Sequence, residues 1–117
     1  MKNKINKILV VDDEQVVREL LESTLSSRGY LVTLSADAED AHERISSERF
    51  DLILSDYNMP GGSGLQLIKS VKIINQKTKI ILMSGGDIQK ECAGVCRFVR
   101  KPFYIEDVLA AINKEDR

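Results

Sequence analysis

Five polar side chains carry the chemistry this sequence could do: Asp12 and Asp13 together, Asp56, Ser84 and Lys101. Each stands just past a short apolar run, in Lys7 to Val11, Asp51 to Ser55, Lys79 to Met83 and Arg97 to Arg100. Such runs are too short for helices and read as buried strands. A carboxylate delivered to the end of a buried strand is costly without a partner or a use. Three carboxylates gathered there repel, and each raises the others' pKa unless a cation neutralises them. Magnesium suits the set, because it takes oxygen ligands, keeps several waters and is completed by phosphate oxygens. Lys101 adds positive charge and Ser84 a hydroxyl donor. Together they fit a phosphoryl group, whose spread negative charge must be met by metal, ammonium and hydrogen bonds.

The elements that must position these residues alternate in type. Helix is expected from about Glu14 to Ser27, with Val17, Leu20, Leu21, Thr24 and Leu25 on one face, stopped by Gly29. Tyr30 to Leu34 is rich in β-branched and large apolar residues and predicts a second strand. A helix from about Ala38 to Ser46 follows, with Ala41 and Ile45 inward. Another, from Gly64 to about Ile74, uses Leu65, Leu67, Ile68 and Val71. Barely two turns fit between Asp87 and Gly94, and a last helix from Ile105 to Asn113 sets Ile105, Val108, Leu109 and Ile112 on one face. Strands alternating with helices imply an α/β fold, a doubly wound parallel sheet with right-handed crossovers. Ligand sites in such sheets lie beyond the carboxyl ends of the strands, where the five polar residues fall.

Four motifs in this order, VVDDE at Val10 to Glu14, LSDYNMP at Leu54 to Pro60, MSGG at Met83 to Gly86 and RKPF at Arg100 to Phe103, resemble the receiver domain of two-component response regulators. The likeness spans nearly the whole chain. It implies a flavodoxin-like (βα)5 sandwich with a five-stranded sheet ordered 2-1-3-4-5, and a single receiver domain over residues 1–117. By the same resemblance Asp56 is the phosphoacceptor, taking its phosphoryl group from a sensor histidine kinase or a phosphotransfer protein. Asp13, Asp56 and the main-chain carbonyl of Asn58 match the Mg2+ ligands, and Asp12 matches a carboxylate that reaches the metal through water. Lys101 matches the lysine that pairs with the phosphoryl oxygens, with a cis bond from Lys101 to Pro102 aiming it inward. Ser84 and Phe98 match a switch, in which the hydroxyl moves to the phosphoryl group and the ring turns with it.

Two departures from the family pattern stand out. The 17 positions from Ser84 to Lys101 (101 minus 84) are a helical turn or so too few, which implies a shortened fourth helix and puts the usual partner-reading surface in question. Gly62 stands where the family often has a larger apolar residue, which, with Gly61 and Gly64, leaves GGSG a mobile loop beside Asp56. Gly86 has no side chain to steer an attacking water, so slow self-dephosphorylation is expected.

With 117 residues, 43% of them hydrophobic, one domain with a real core is expected. The 17 basic and 18 acidic residues leave a net charge of -1, which favours neither nucleic acid nor an anionic membrane as a direct partner. No signal peptide or membrane-inserting span is visible, so a cytoplasmic address is the default. Cys92 and Cys96 lack a second metal-ligand pair and read as free thiols, and His42 between Glu39 and Glu43 reads as solvated. No P-loop lysine or dinucleotide fingerprint is present. An aspartate-nucleophile phosphohydrolase would require a D-x-D motif where this chain has Asp12, Asp13 and Glu14. The other alternative is a phosphorylation-independent protein-interaction module on the same fold. With no output domain in view, the expected readout is a downstream protein target or an output domain in a longer chain.

Overall fold

Alternation of apolar side chains along the strands divides the interior into two cores, one on each side of a single sheet. The computed structural model describes residues 5–59, 62–74, 77–86, 88, 90 and 97–113. The elements run β1 (Lys7–Val11), α1 (Gln15–Ser27), β2 (Leu31–Ser35), α2 (Ala38–Ser47), β3 (Leu52–Asp56), β4 (Asn58–Met59), β5 (Gly62–Ser63), α3 (Gly64–Ile74), β6 (Lys79–Ser84), β7 (Arg97–Arg100) and α4 (Ile105–Asn113). The five longer strands form one sheet ordered β2-β1-β3-β6-β7, parallel at every pairing. This is the expected 2-1-3-4-5 order among the five.

Successive strand residues face opposite ways, so Leu9, Val11, Ile53, Ile80 and Leu82 meet Ala41, Ile45, Leu67 and Val71 from α2 and α3. Ile8, Val10, Leu52, Leu54, Ile81, Met83 and Val99 meet Leu21 and Leu25 of α1 and Val108 and Ile112 of α4 on the other side. Because both faces are covered, β3 is buried over its full length, Leu52 to Asp56. Leu20, expected on the inner face of α1, is exposed. The buried stripe is centred on Leu21 and Leu25, and at 3.6 residues per turn position 20 lies at its margin.

β1 and β7 have the expected limits, while those of β2, β3 and β6 differ from the expected ones by a residue. The Tyr30 amide turns back to the Leu25 carbonyl at 3.2 Å, so β2 starts at Leu31 and runs on to Ser35, which pairs with Val11. Asp51 precedes β3 and clamps the start of the sheet: its carboxylate accepts from the amides of Asn6 at 3.0 Å and Lys7 at 2.8 Å. Beyond β3 the GGSG stretch, expected as a mobile loop, carries β5 antiparallel to β4 with Asn58 opposite Ser63. The expected shortened fourth helix, Asp87 to Gly94, falls largely outside the described residues, as do Cys92 and Cys96; Ile88 is described and buried in the core under α2 and α3.

Candidate phosphoacceptor site

The carboxyl ends of β1, β3, β6 and β7 meet at one edge of the sheet, and with them the residues singled out by the sequence. Asp12 follows β1 directly and is fully buried, while Asp13 beside it is exposed. Asp56 is the last residue of β3, paired with Met83 of β6, and the Tyr57 amide extends that ladder to the Met83 carbonyl at 2.8 Å. Carboxylate oxygens of Asp12, Asp13 and Asp56 all lie within 4.8 Å of one another. Lys101, just past β7, reaches into the group: its Nζ is 2.8 Å from Asp12 Oδ2 and 3.4 Å from Asp56 Oδ2. The Lys101–Pro102 peptide bond is cis, as expected.

Charge in this cluster is unevenly met. Burial pushes the Asp56 carboxyl above its ordinary range; Lys101 and the Asn58 amide pull it back, and Asp12 pushes it further up. For Lys101, burial works against the ammonium, but its contacts with Asp12 and Asp56 outweigh that and raise its pKa. Asn58 opens β4, exposed, with its amide hydrogen-bonded to the Asp56 carboxylate. Ser84 ends β6, buried; its hydroxyl oxygen accepts from the Gly86 amide at 3.1 Å and its carbonyl from the Lys101 amide at 2.7 Å. Phe98 lies opposite Leu82 in the register, half-buried against the core under α2 and α3, with the Arg100 guanidinium 6.0 Å from its ring centre. Strand alternation puts Ser84 on the same sheet face as Leu82, hence as Phe98.

Two site neighbours were not singled out in the sequence. The Glu14 carboxylate is 3.5 Å from Lys101 Nζ, and its amide donates to Asp12 Oδ1 at 2.9 Å. Arg18 of α1 donates from Nη1 to the Asp12 carbonyl at 2.7 Å. Glu14 sits inside the VVDDE motif, and Arg18 is four residues on from it, one helical turn, which is the available signal for both.

The pattern of the response regulator receiver domain family matches residues 8–113 of this chain. The chain belongs to that family. Receiver domains are signalling phosphoacceptors of two-component systems rather than classical enzymes. Sporulation initiation phosphotransferase F of Bacillus subtilis is 32% identical over 114 residues, covering 92% of this chain and 91% of that protein. Response regulator MprA of Mycobacterium ulcerans is 36% identical over 112 residues, which are 92% of this chain and 48% of the relative, so the receiver spans about half of that protein. The solved structure of response regulator TrrA from Thermotoga maritima, in complex with Mg2+-BeF, matches with a TM-score of 0.80 at 30% identity, over 90% of this chain and 94% of that one.

Receiver domains bind Mg2+ at an acidic pocket, and the donor set of this receiver fits such an ion. Octahedral Mg2+ with oxygens at ~2.1 Å spaces its ligands roughly 3 to 4 Å apart. The mutual spread of the three carboxylates is close to that. A dication would also relieve the burial and repulsion that disfavour a charged Asp56. Among the described residues no helix is long and apolar enough to cross a membrane.

Proposed function

We propose that Asp56 accepts a phosphoryl group from a sensor histidine kinase or phosphotransfer protein, and that the change is relayed through Ser84 and Phe98 to a downstream protein or an attached output domain. The observation that carries this reading is the convergence on buried Asp56 of two further carboxylates and the Lys101 ammonium at the strand ends. Asp12, Asp13, Asp56 and the main chain of Asn58 would hold Mg2+, which when bound supplies charge neutralisation at the phosphoryl oxygens. Asp56 is the nucleophile: a carboxylate oxygen bonds to phosphorus as the phosphorus bond to the donor nitrogen breaks, and that nitrogen leaves with the bonding pair. Lys101 turns from Asp12 toward a phosphoryl oxygen, a small displacement for a flexible side chain already 3.4 Å from Asp56. The Ser84 hydroxyl donates to another, and its shift along the shared face frees room beside Phe98 for the ring to rotate.

Intact-mass measurement after incubation with acetyl phosphate, with and without Mg2+, tests the chemistry. The expected result is one Mg2+-dependent phosphoryl group on the wild type and none on Asp56→Asn. An unmodified wild type under every donor condition, kinase included, would reject it in favour of a binding module. For the switch, amide shifts between Ser84 and Phe98 must change on phosphorylation; their constancy would rule it out.

A further inference from the structure

Asp12 has each of its four polar groups held by a different residue. Its amide donates to the Ser35 carbonyl at 3.1 Å, its carbonyl accepts from Arg18 at 2.7 Å, Oδ1 accepts from the Glu14 amide at 2.9 Å and Oδ2 from Lys101 at 2.8 Å. The carbonyl is the group that secondary structure leaves over. The β1 ladder ends at Val11, and Asp12 is fully buried, so its carbonyl needs a partner from elsewhere. Arg18 is suited to supply it. Helical side chains lean toward the N-terminus of their helix, so a long side chain at the fourth position of α1 extends back over the turn that leads in from β1.

We infer that Arg18 is a positioning residue for the acidic site, fixing the turn that carries Asp12 and Asp13 so that both carboxylates address one cation. The inference rests on the phosphoacceptor reading above, and it explains what holds Asp12 when Lys101 is drawn to a phosphoryl group. At that moment Oδ2 loses its ammonium. The Glu14 amide belongs to the same turn as Asp12 and moves with it, whereas Arg18 ties the turn to the body of α1, which is anchored in the core by Leu21 and Leu25.

Charge and position make opposite predictions here. As a nearby positive charge Arg18 repels a cation, so its removal should tighten Mg2+ binding. As a positioning residue its removal should weaken it, and loss of a contact that orients ligands typically costs 10- to 100-fold in metal affinity. Position should win, because the guanidinium is partly solvated and its charge correspondingly screened.

The test is titration of the unphosphorylated chain with Mg2+, read by calorimetry and by backbone amide shifts. Arg18→Ala should raise the Mg2+ midpoint by about tenfold. Arg18→Lys, which keeps a donor and the charge, should recover most of it. With acetyl phosphate, Arg18→Ala should raise the Mg2+ concentration for half-maximal phosphorylation and leave the rate at saturating Mg2+ near wild type. A midpoint that is unchanged or lower in Arg18→Ala overturns the inference, as does a raised midpoint that Arg18→Lys fails to restore, which would indicate a general loosening of α1. The phosphoacceptor reading fails separately, if wild type binds Mg2+ in the titration yet gains no phosphoryl group. A wild type that binds no Mg2+ overturns both.

Discussion

Replacing Asp56 by asparagine should make the metal-free receiver more stable, because the charge it removes is poorly compensated. Lys101 Nζ stands 3.4 Å from Asp56; at an effective dielectric of about 20 that attraction is ~5 kcal/mol. Asp12, within 4.8 Å and buried, repels Asp56 by at least ~3.5 kcal/mol on the same scale. Asp13 is exposed, so water screens its repulsion to ~1 kcal/mol. These terms nearly cancel, which leaves the cost of burying the carboxylate to decide, in agreement with the upward direction of the Asp56 pKa. Asp56→Asn keeps the shape and drops that cost, for an expected gain of about 1 kcal/mol, or about 4 °C in Tm for a domain of this size. Mg2+ reverses the order. At ten times its Kd the ion adds about 1.4 kcal/mol to a protein that binds it only when folded, and the variant, one carboxylate short, gains less. Thermal and urea unfolding followed by circular dichroism, in chelator and in Mg2+, reads both halves. Should Asp56→Asn prove less stable than wild type in chelator, the Lys101 pair outweighs burial and repulsion, and this reasoning is wrong.

Other expectations follow from further contacts of the fold. Asp51→Ala strips the carboxylate from the Asn6 and Lys7 amides at the start of β1, and urea unfolding should show a loss of about 1–3 kcal/mol. Ser35 and Arg44 hold the Asp40 carboxyl below its ordinary 3.8, so its ionised form stabilises the fold. That contribution is complete above the ordinary carboxylate range and is lost as pH falls through 3.8 toward the lowered value. The stability gap between wild type and Asp40→Asn should therefore be open at neutral pH and close on acidification, measured by urea titration at each pH. A Cβ at Gly86 would meet only Ser84 Oγ, at 3.9 Å, with ordinary backbone angles. Gly86→Ala should then fold with stability unchanged or raised by up to about 1 kcal/mol. With no Gly86 side chain to steer water, the wild-type phosphoryl group should persist well beyond seconds in a mass-spectrometric decay series.

Why Asp12, Asp56 and Lys101 could be placed from the sequence while Arg18 and Glu14 could not is a matter of which physical signal each leaves. A polar residue closing an apolar run breaks a pattern that burial enforces, and the rule that parallel sheets gather ligands at their carboxyl ends then brings such residues together without knowledge of strand order. The order itself, β2-β1-β3-β6-β7, leaves no trace in periodicity, since any permutation would show the same apolar runs; only the motif resemblance supplied it. Arg18 breaks no pattern. An arginine on the outer side of an amphipathic helix has the same appearance whether it is solvated or reaches back to a main-chain carbonyl, and the difference is set by how β1 turns into α1. Leu20 fails for the converse reason: an apolar residue at the margin of a stripe is exposed or buried according to where the sheet lies beneath it. What stays hidden is thus the layer that orients the site residues, because main-chain acceptors carry no sequence. The Arg18→Ala titration is the direct probe of that layer: a weakened Mg2+ midpoint would mean that a residue whose role the apolar pattern does not reveal controls two whose roles it does.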